Sequence, residues 1–92
     1  MDTQVRDVAE RSRYELLVDG EVAGFAEYRS EGEHVVFPHT VIDPQRRGQG
    51  LGAILVKGAL DAVRPSGHKV VPSCWYVAQF IDENPEYADL LA

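Results

Sequence analysis

The chain is poor in three things: cysteine, positive charge and long apolar runs. Cys74 is its only cysteine, so no internal disulfide can form, and a reducing cytoplasm is the expected compartment. Lys and Arg number 9 against 15 Asp and Glu, a net charge of −6 that argues against nucleic-acid binding as the main role. No apolar run reaches the ~18 residues of a membrane helix, and no signal peptide is visible, so neither a membrane nor secretion is expected.

What remains is the composition of an ordinary globular protein. Hydrophobic residues make up 45% of the chain and charged residues 26%, and both shares are typical of folded soluble domains. A length of 92 residues predicts one small domain over residues 1–92. Within it, residues 1–12 are expected to form a flexible segment or a partial first strand.

Three β-strands are predicted in the first half of the chain. β-forming residues over 13–18 and 22–28 flank Asp19-Gly20, a tight-turn signal, so the first two strands are expected to form a hairpin. Residues 34–42 are rich in Val, Phe, Ile and Thr and predict a third strand. Pro38 inside this strand indicates a bulge or an edge position.

Helices and strands alternate in the second half. From Leu51 the apolar residues recur on one helical stripe, which Pro65-Ser66-Gly67 ends. A short strand over 69–72 then implies a right-handed crossover and a parallel strand pair. Residues 74–81 predict a second helix, and Asn84-Pro85 begins a last short one. The predicted order is β-β-β-α-β-α-α, a mixed sheet flanked by helices in an α/β (α+β) domain.

Glycine is concentrated between the third predicted strand and the first predicted helix, in the run Gln45-Arg46-Arg47-Gly48-Gln49-Gly50-Leu51-Gly52. Glycine lets the backbone approach a ligand closely, and a helix start offers unpaired N–H groups and a positive dipole end. Arg46 and Arg47 add fixed positive charge. The segment therefore predicts a loop that binds a phosphate or pyrophosphate.

The glycine spacing excludes two common nucleotide motifs. The loop lacks the Gly-Lys-Ser or Gly-Lys-Thr of a Walker A loop, which disfavours nucleotide hydrolysis. It also lacks the Gly-x-Gly-x-x-Gly spacing of the dinucleotide fingerprint. The alternative without a ligand is a strand-to-helix turn that uses glycine for conformational reasons alone.

The loop resembles the acetyl-CoA loop of the GNAT N-acetyltransferase superfamily, whose signature is Gln or Arg, two residues, Gly, one residue, then Gly or Ala. His39-Thr40, Pro72-Ser73-Cys74 and Asn84-Pro85-Glu86-Tyr87 extend the resemblance to the small single-domain YjdJ-type branch, over about residues 13–91. The resemblance implies a compact GNAT-like sheet, acetyl-CoA as co-substrate and no metal. It also implies that the CoA pyrophosphate is held by Arg46, Arg47, Gly48, Gln49, Gly50, Leu51, Gly52 and Ala53.

Three residues are candidates for the chemistry. Acetyl transfer to an amine needs a neutral amine, a polarised carbonyl and a proton donor for the leaving thiolate. His39 is a candidate base, with a hydrogen-bonded strand residue as the alternative. Tyr76 is a candidate proton donor, with a core aromatic as the alternative. The branch often carries Glu two residues after the His, where this chain has Val41, so that base is missing.

Cys74 lies at the start of a predicted helix, where the dipole lowers the pKa of a thiol. It is a candidate acyl-accepting nucleophile, or a partner of the CoA thiol in a mixed disulfide. The alternative is a small buried apolar residue, as free cysteines often are.

Three functions are therefore open at the level of sequence. The first is an acetyl-CoA-dependent N-acetyltransferase that acts on a primary amine of a small molecule, peptide or protein lysine. The second is a non-catalytic CoA or acyl-CoA-binding module, which the short chain and Val41 favour. The third is a redox protein in which Cys74 pairs with CoA. The acidic surface favours a cationic acceptor through electrostatic steering.

Overall fold

The computed structural model describes residues 1–92, which form one five-stranded mixed sheet with helices packed on it. The strands are β1 (Thr3–Val8), β2 (Arg13–Val18), β3 (Glu21–Glu31), β4 (His34–Ile42) and β5 (Lys69–Val71). The α-helices are α1 (Leu51–Val63) and α2 (Trp75–Glu83). The strands lie side by side in chain order, antiparallel from β1 to β4 and parallel between β4 and β5. No helix combines the length and the apolar character needed to span a membrane.

The mixed α/β fold, the β2–β3 hairpin and the parallel β4–β5 crossover are as the sequence predicts. The structure differs in the first residues, where β1 is a complete strand. It pairs with β2 along its whole length, with Thr3 opposite Val18 at one end and Val8 opposite Arg13 at the other. Because β1 is an edge strand with exposed polar side chains, it lacks the apolar alternation that would have marked it. The last predicted helix is a 3-10 helix, Pro85–Leu90.

One hydrophobic core joins a single face of the sheet to both helices. α1 packs across β1 to β4, and α2 packs against β4 and α1. Side chains of β2 and of β4 before its midpoint point into this core, because alternate residues of a strand share a face. The core members from the sheet are Tyr14, Leu16, Val18, Ala23, Ala26, Val35, Phe37 and Val70.

β4 contains the bulge that Pro38 indicates. The β3–β4 register shifts between Glu27 and Arg29, so that β4 has an extra residue there. Val35 and Phe37 face the core before the bulge. After the bulge Thr40 is paired with fully buried Ala26, so the even-numbered residues now point to the helix side. The bulge thus decides which residues of β4 reach the candidate site.

β4 and β5 part soon after they pair. β5 pairs only with the first three residues of β4, and the last pair is Val36 opposite Val71. The backbone N–H of Cys74 then donates to the carbonyl of Phe37 at 2.8 Å, and the chain turns into α2. Beyond this bond no strand covers the outer edge of β4, from Pro38 to Ile42. The structure therefore has a gap between β4 and the start of α2.

Candidate functional site

The loop between β4 and α1 has a backbone that glycine makes possible. A short 3-10 turn opens it, and the carboxylate of Asp43 accepts the backbone N–H of Gln45 at 3.0 Å. Gly48 has φ +84° and Gly50, the residue that caps α1, has φ +72°. This left-handed region costs other residues about 1–2 kcal/mol, which accounts for glycine at both positions.

The backbone N–H groups of this loop are free to bind a ligand. The first helical bond of α1 runs from the N–H of Ile54 to the carbonyl of Gly50. None of the backbone hydrogen bonds outside the regular elements is donated by residues 47–53. The positive end of the α1 dipole lies at the same place. We call residues 47–53 the amide loop.

The amide loop forms one wall of a cleft of about 420 Å³. β4 contributes the second wall, with its outer edge beyond the bulge, and the start of α2 contributes the third. The lining residues are Thr40 and Ile42 from β4, Arg46, Arg47, Gly48, Gly50, Leu51 and Gly52 from the loop and α1, and Cys74, Trp75 and Tyr76 at α2. The cleft thus includes the gap between β4 and α2.

Two arginines make the cleft locally positive in an acidic protein. Arg46 lies 3.6 Å from the carboxylate of Glu21, which is itself largely exposed. Arg47 is exposed and forms no ion pair. Arg47 is therefore available to an anion that binds at the start of α1, and Arg46 can also contact it if it leaves its exposed partner Glu21.

Cys74 lies at the bottom of the gap, with 9% of its surface exposed. Its Sγ is 3.6 Å from Oγ1 of Thr40. The thiol donates a hydrogen bond to this hydroxyl oxygen, whereas a thiolate accepts a hydrogen bond from the hydroxyl. Burial raises the pKa of this thiol, but the Thr40 hydroxyl and the nearby backbone N–H groups of Val77, Tyr76 and Thr40 outweigh burial, so the pKa is below its usual value. The site therefore favours negative charge on sulfur.

This environment predicts the pH dependence of the thiol. Because the pKa of Cys74 is lowered, half of the thiol is expected to ionise at a lower pH than in a free, solvated cysteine. Replacing Thr40 with valine removes the hydroxyl donor and is expected to raise that midpoint. The ultraviolet absorbance of the thiolate measures it directly, since Cys74 is the only cysteine. A Thr40→Val midpoint equal to or below that of the wild type would contradict the assignment.

Tyr76 joins α2 to the start of α1. A Cβ added to Gly52 would lie 2.7 Å from the Tyr76 hydroxyl, so the absence of a side chain at Gly52 allows this contact. Burial, with a smaller contribution from Glu83, raises the pKa of Tyr76 and keeps its hydroxyl protonated at neutral pH. Trp75, 72% exposed, packs edge-on against the Tyr76 ring.

The structure gathers most of the residues that the sequence nominated. Cys74, Tyr76 and most of the predicted loop line one cleft. Gln49 is exposed and not part of the lining, and Ala53 lines a neighbouring groove with Trp75 and Tyr76. His39 is exposed and alternates with Thr40, so it lies on the opposite face of β4. Their roles stay predictions.

Thr40 and Ile42 were not nominated as site residues from the sequence, although both line the cleft. Their spacing of two along a strand is visible in the sequence, and Pro38 indicates a bulge or an edge, but the face to which the bulge turns them depends on the pairing with β3. The structure places no group of three or more His, Cys, Asp or Glu side chains so that they could hold a metal ion.

Comparison with known proteins identifies the family of this chain. The sequence profile of the GCN5-related N-acetyl-transferase family matches residues 13–90. The chain belongs to this family. Membership supports acetyl transfer in general as the function, and the YjdJ-type branch remains a prediction.

Curated relatives in this family include protein NATD1 from Bos taurus and Homo sapiens. Each is 36% identical over 59 residues, which is 63% of this chain and 52% of the relative. The chain thus spans about half the length of the curated relatives it matches.

Solved structures of acetyltransferases share the fold of this GCN5-related chain. A GCN5-like protein from Staphylococcus aureus has a TM-score of 0.73 at 18% identity and covers 97% of this chain and 87% of its own. The ribosomal-protein-S18-alanine N-acetyltransferase of Escherichia coli has a TM-score of 0.64 at 19% identity, and the match covers 78% of this chain and 50% of the solved chain. The N-acetylglutamate synthase of Neisseria gonorrhoeae was solved with coenzyme A and N-acetyl-glutamate. It has a TM-score of 0.59 at 15% identity, and the match covers 91% of this chain and 24% of the solved chain. At these identities the likeness shows the fold alone.

Proposed function

We propose that the chain binds acetyl-CoA through the amide loop and transfers its acetyl group to a primary amine. The observation that carries the proposal is the set of unbonded N–H groups at the start of α1, in a cleft that also holds Arg46 and Arg47. Backbone donors and a helix dipole at one point suit a pyrophosphate, and the arginines add charge. Family membership supports CoA as the source of that pyrophosphate.

The rest of the cleft suits the extended arm of CoA. The outer edge of β4 beyond the bulge has no strand beside it, so its backbone groups can bond an extended chain as a neighbouring strand would. An arm that follows this edge from the amide loop leads towards Thr40 and Cys74. The thioester would then lie where the surroundings favour negative charge on sulfur.

Direct transfer needs little more than this placement. The nitrogen lone pair of a neutral amine attacks the thioester carbonyl and the carbon–sulfur bond breaks. The nitrogen loses one proton to become an amide, and CoA leaves as a thiolate that takes up one proton. Holding the two reactants together supplies much of the rate. Tyr76 remains the candidate proton donor, since its hydroxyl is protonated at neutral pH and its ring lines the cleft.

The lowered pKa of Cys74 favours a second route through the same cleft. The Cys74 thiolate attacks the thioester carbonyl, a new carbon–sulfur bond forms, and the CoA thiolate leaves and is protonated. An amine then attacks the acetyl-cysteine and regenerates the thiol. Thiolate character and a position in the cleft are what this route requires.

A screen of primary amines with acetyl-CoA, read by chromatography of the released CoA, tests the proposal. We expect amine-dependent CoA release by the wild type. If transfer is direct, Cys74→Ala keeps this turnover; if it is indirect, Cys74→Ala loses it and the wild type carries an acetyl adduct by mass spectrometry. Acetyl-CoA binding without turnover for any amine would instead support a non-catalytic binding module.

A further inference from the structure

The face of the sheet opposite the helices bears its own set of polar residues. α1 and α2 share one core with the side chains on the helix side. On the other face, Phe25 and Glu27 of β3 lie directly opposite Val41 and His39 of β4. His39 and Val41 are exposed, and Phe25 and Glu27 are half-buried. We call these four residues the open-face patch.

Glu27 differs from the other glutamates on this face of the sheet. Glu15 is buried and paired with Arg13 and Arg6, and Glu31 is paired with Arg29. Glu27 forms no ion pair, and its carboxylate accepts no side-chain hydrogen bond. Because Glu27 is also partly exposed, its carboxylate is free to bind a cation from solution.

The neighbouring cation, Arg13, forms no ion pair with Glu27. Arg13 is opposite Glu27 across the β2–β3 pair. Its guanidinium, however, donates two hydrogen bonds to Glu15, and it lies 4.3 Å from the centre of the Phe25 ring. Glu27 is thus left beside His39, whose exposed imidazole adds a second hydrogen-bonding group.

The open-face patch borders the same gap as Cys74. His39 and Thr40 are consecutive on β4, and beyond the bulge the outer edge of this strand is open. Thr40 points to Cys74 on the helix side, while His39 points to the open face. A thioester bound along the edge of β4 would therefore be flanked by Cys74 on one side and approached from the open-face patch on the other.

We propose that the open-face patch binds the acceptor, and that this acceptor is a linear aliphatic diamine or polyamine. Glu27 holds one ammonium group beside His39, while the apolar surface of Val41 contacts the alkyl chain. The second amine reaches over β4 into the gap and attacks the thioester. The inference rests on the proposed function, because it assumes that the gap holds the acetyl group.

Strand spacing sets the length of the acceptor. Glu27 is on β3, one strand in from the open edge of β4, and neighbouring strands are ~4.8 Å apart. A thioester bound in the gap lies one further strand spacing beyond β4, and therefore roughly 10 Å from the β3 backbone. With its side chain leaning towards β4, Glu27 would cover part of that distance. A monoamine held by Glu27 would therefore place no nitrogen at the thioester, whereas a diamine would.

Titration of putrescine into isotope-labelled protein, followed by amide chemical shifts, tests this site with and without CoA. We expect shifts at residues 25–27 and 39–41, and a roughly tenfold weaker putrescine affinity in Glu27→Gln, as loss of a charge-assisted hydrogen bond predicts. Butylamine, the matched monoamine, is expected to bind the wild type more weakly and to lose little in the variant. Glu31→Gln removes the same charge from the same strand and is the control.

The outcomes separate this inference from the proposed function. Calorimetry with acetyl-CoA reports on the amide loop, and Glu27→Gln is expected to leave that affinity unchanged. In turnover, Glu27→Gln is expected to raise KM for the diamine about tenfold with kcat little changed. Failure of putrescine to shift the patch, or equal effects of Glu27→Gln and Glu31→Gln, would overturn the inference even if acetyl-CoA binds. A lysine peptide that binds where putrescine does not would also overturn it.

Discussion

Replacing both Gly48 and Gly50 with alanine is expected to weaken acetyl-CoA binding at least tenfold. Both glycines line the cleft, and a Cβ at either position meets no protein atom within 4 Å. The added methyl groups would therefore occupy space beside the free N–H groups of the amide loop. Loss of even one charge-assisted hydrogen bond to a phosphate costs about 1.5–3 kcal/mol, which is roughly 10- to 100-fold in affinity. Isothermal titration calorimetry measures the change.

A third glycine provides the matched control. Gly67 has φ +76° and open space around its position, but it lies in the turn after α1, away from the cleft. Gly67→Ala introduces the same backbone strain, about 1–2 kcal/mol, and is expected to leave acetyl-CoA affinity unchanged. If Gly67→Ala weakened binding as much as the double variant, the loss would reflect general destabilisation and not the amide loop.

Replacing Gly24 with alanine is expected to have the largest effect on stability. A Cβ at Gly24 would lie 2.5 Å from the backbone carbonyl oxygen of Val41 and 2.6 Å from Cδ1 of Ile42. The carbonyl belongs to β4 and cannot move aside without shifting the strand. Overpacking of this kind costs about 3 kcal/mol, and for a domain of this size the melting temperature would fall by roughly 10–20 °C. Thermal unfolding followed by circular dichroism measures it.

Gly20→Ala separates this packing effect from a general cost of removing glycine. Gly20 has φ +85° in the β2–β3 turn, where a Cβ meets no atom within 4 Å, so only about 1–2 kcal/mol is expected. A Gly24→Ala variant as stable as Gly20→Ala would show that β3 and β4 do not approach each other as closely as described. Because Ile42 lines the cleft, we also expect Gly24→Ala to weaken acetyl-CoA binding.

The sequence predicted the position of the strand-to-helix turn that contains the amide loop because its signals are local, while the binding role of the loop stays a prediction. Three glycines, two arginines and a helix start are adjacent in the chain, and each acts on the backbone within a few residues. The β2–β3 hairpin was readable for the same reason, from Asp19-Gly20. β1 was missed as a complete strand because it pairs with β2 through backbone bonds while its exposed side chains are polar.

The side of the cleft formed by β4 and α2 was harder to predict, because one extra residue in β4 exchanges the faces to which its later side chains point. With regular alternation from Phe37, His39 would face the core and Thr40 would face solvent. The bulge at Pro38 exchanges them, so that Thr40 contacts Cys74 and His39 joins Glu27 on the open face. Pro38 indicates a bulge or an edge. Which face of the sheet each later side chain of β4 points to, however, depends on the register with β3, and this is a tertiary property.

Binding of acetyl-CoA at the amide loop can be observed directly. Titration of acetyl-CoA into isotope-labelled protein, followed by amide chemical shifts, tests it most directly because it locates the ligand residue by residue. We expect saturable binding, with the largest shifts at residues 47–53 and at Thr40, Cys74 and Tyr76. Absence of binding at millimolar acetyl-CoA by a folded protein, or shifts confined to residues away from the cleft, would show that the amide loop is not the acetyl-CoA site.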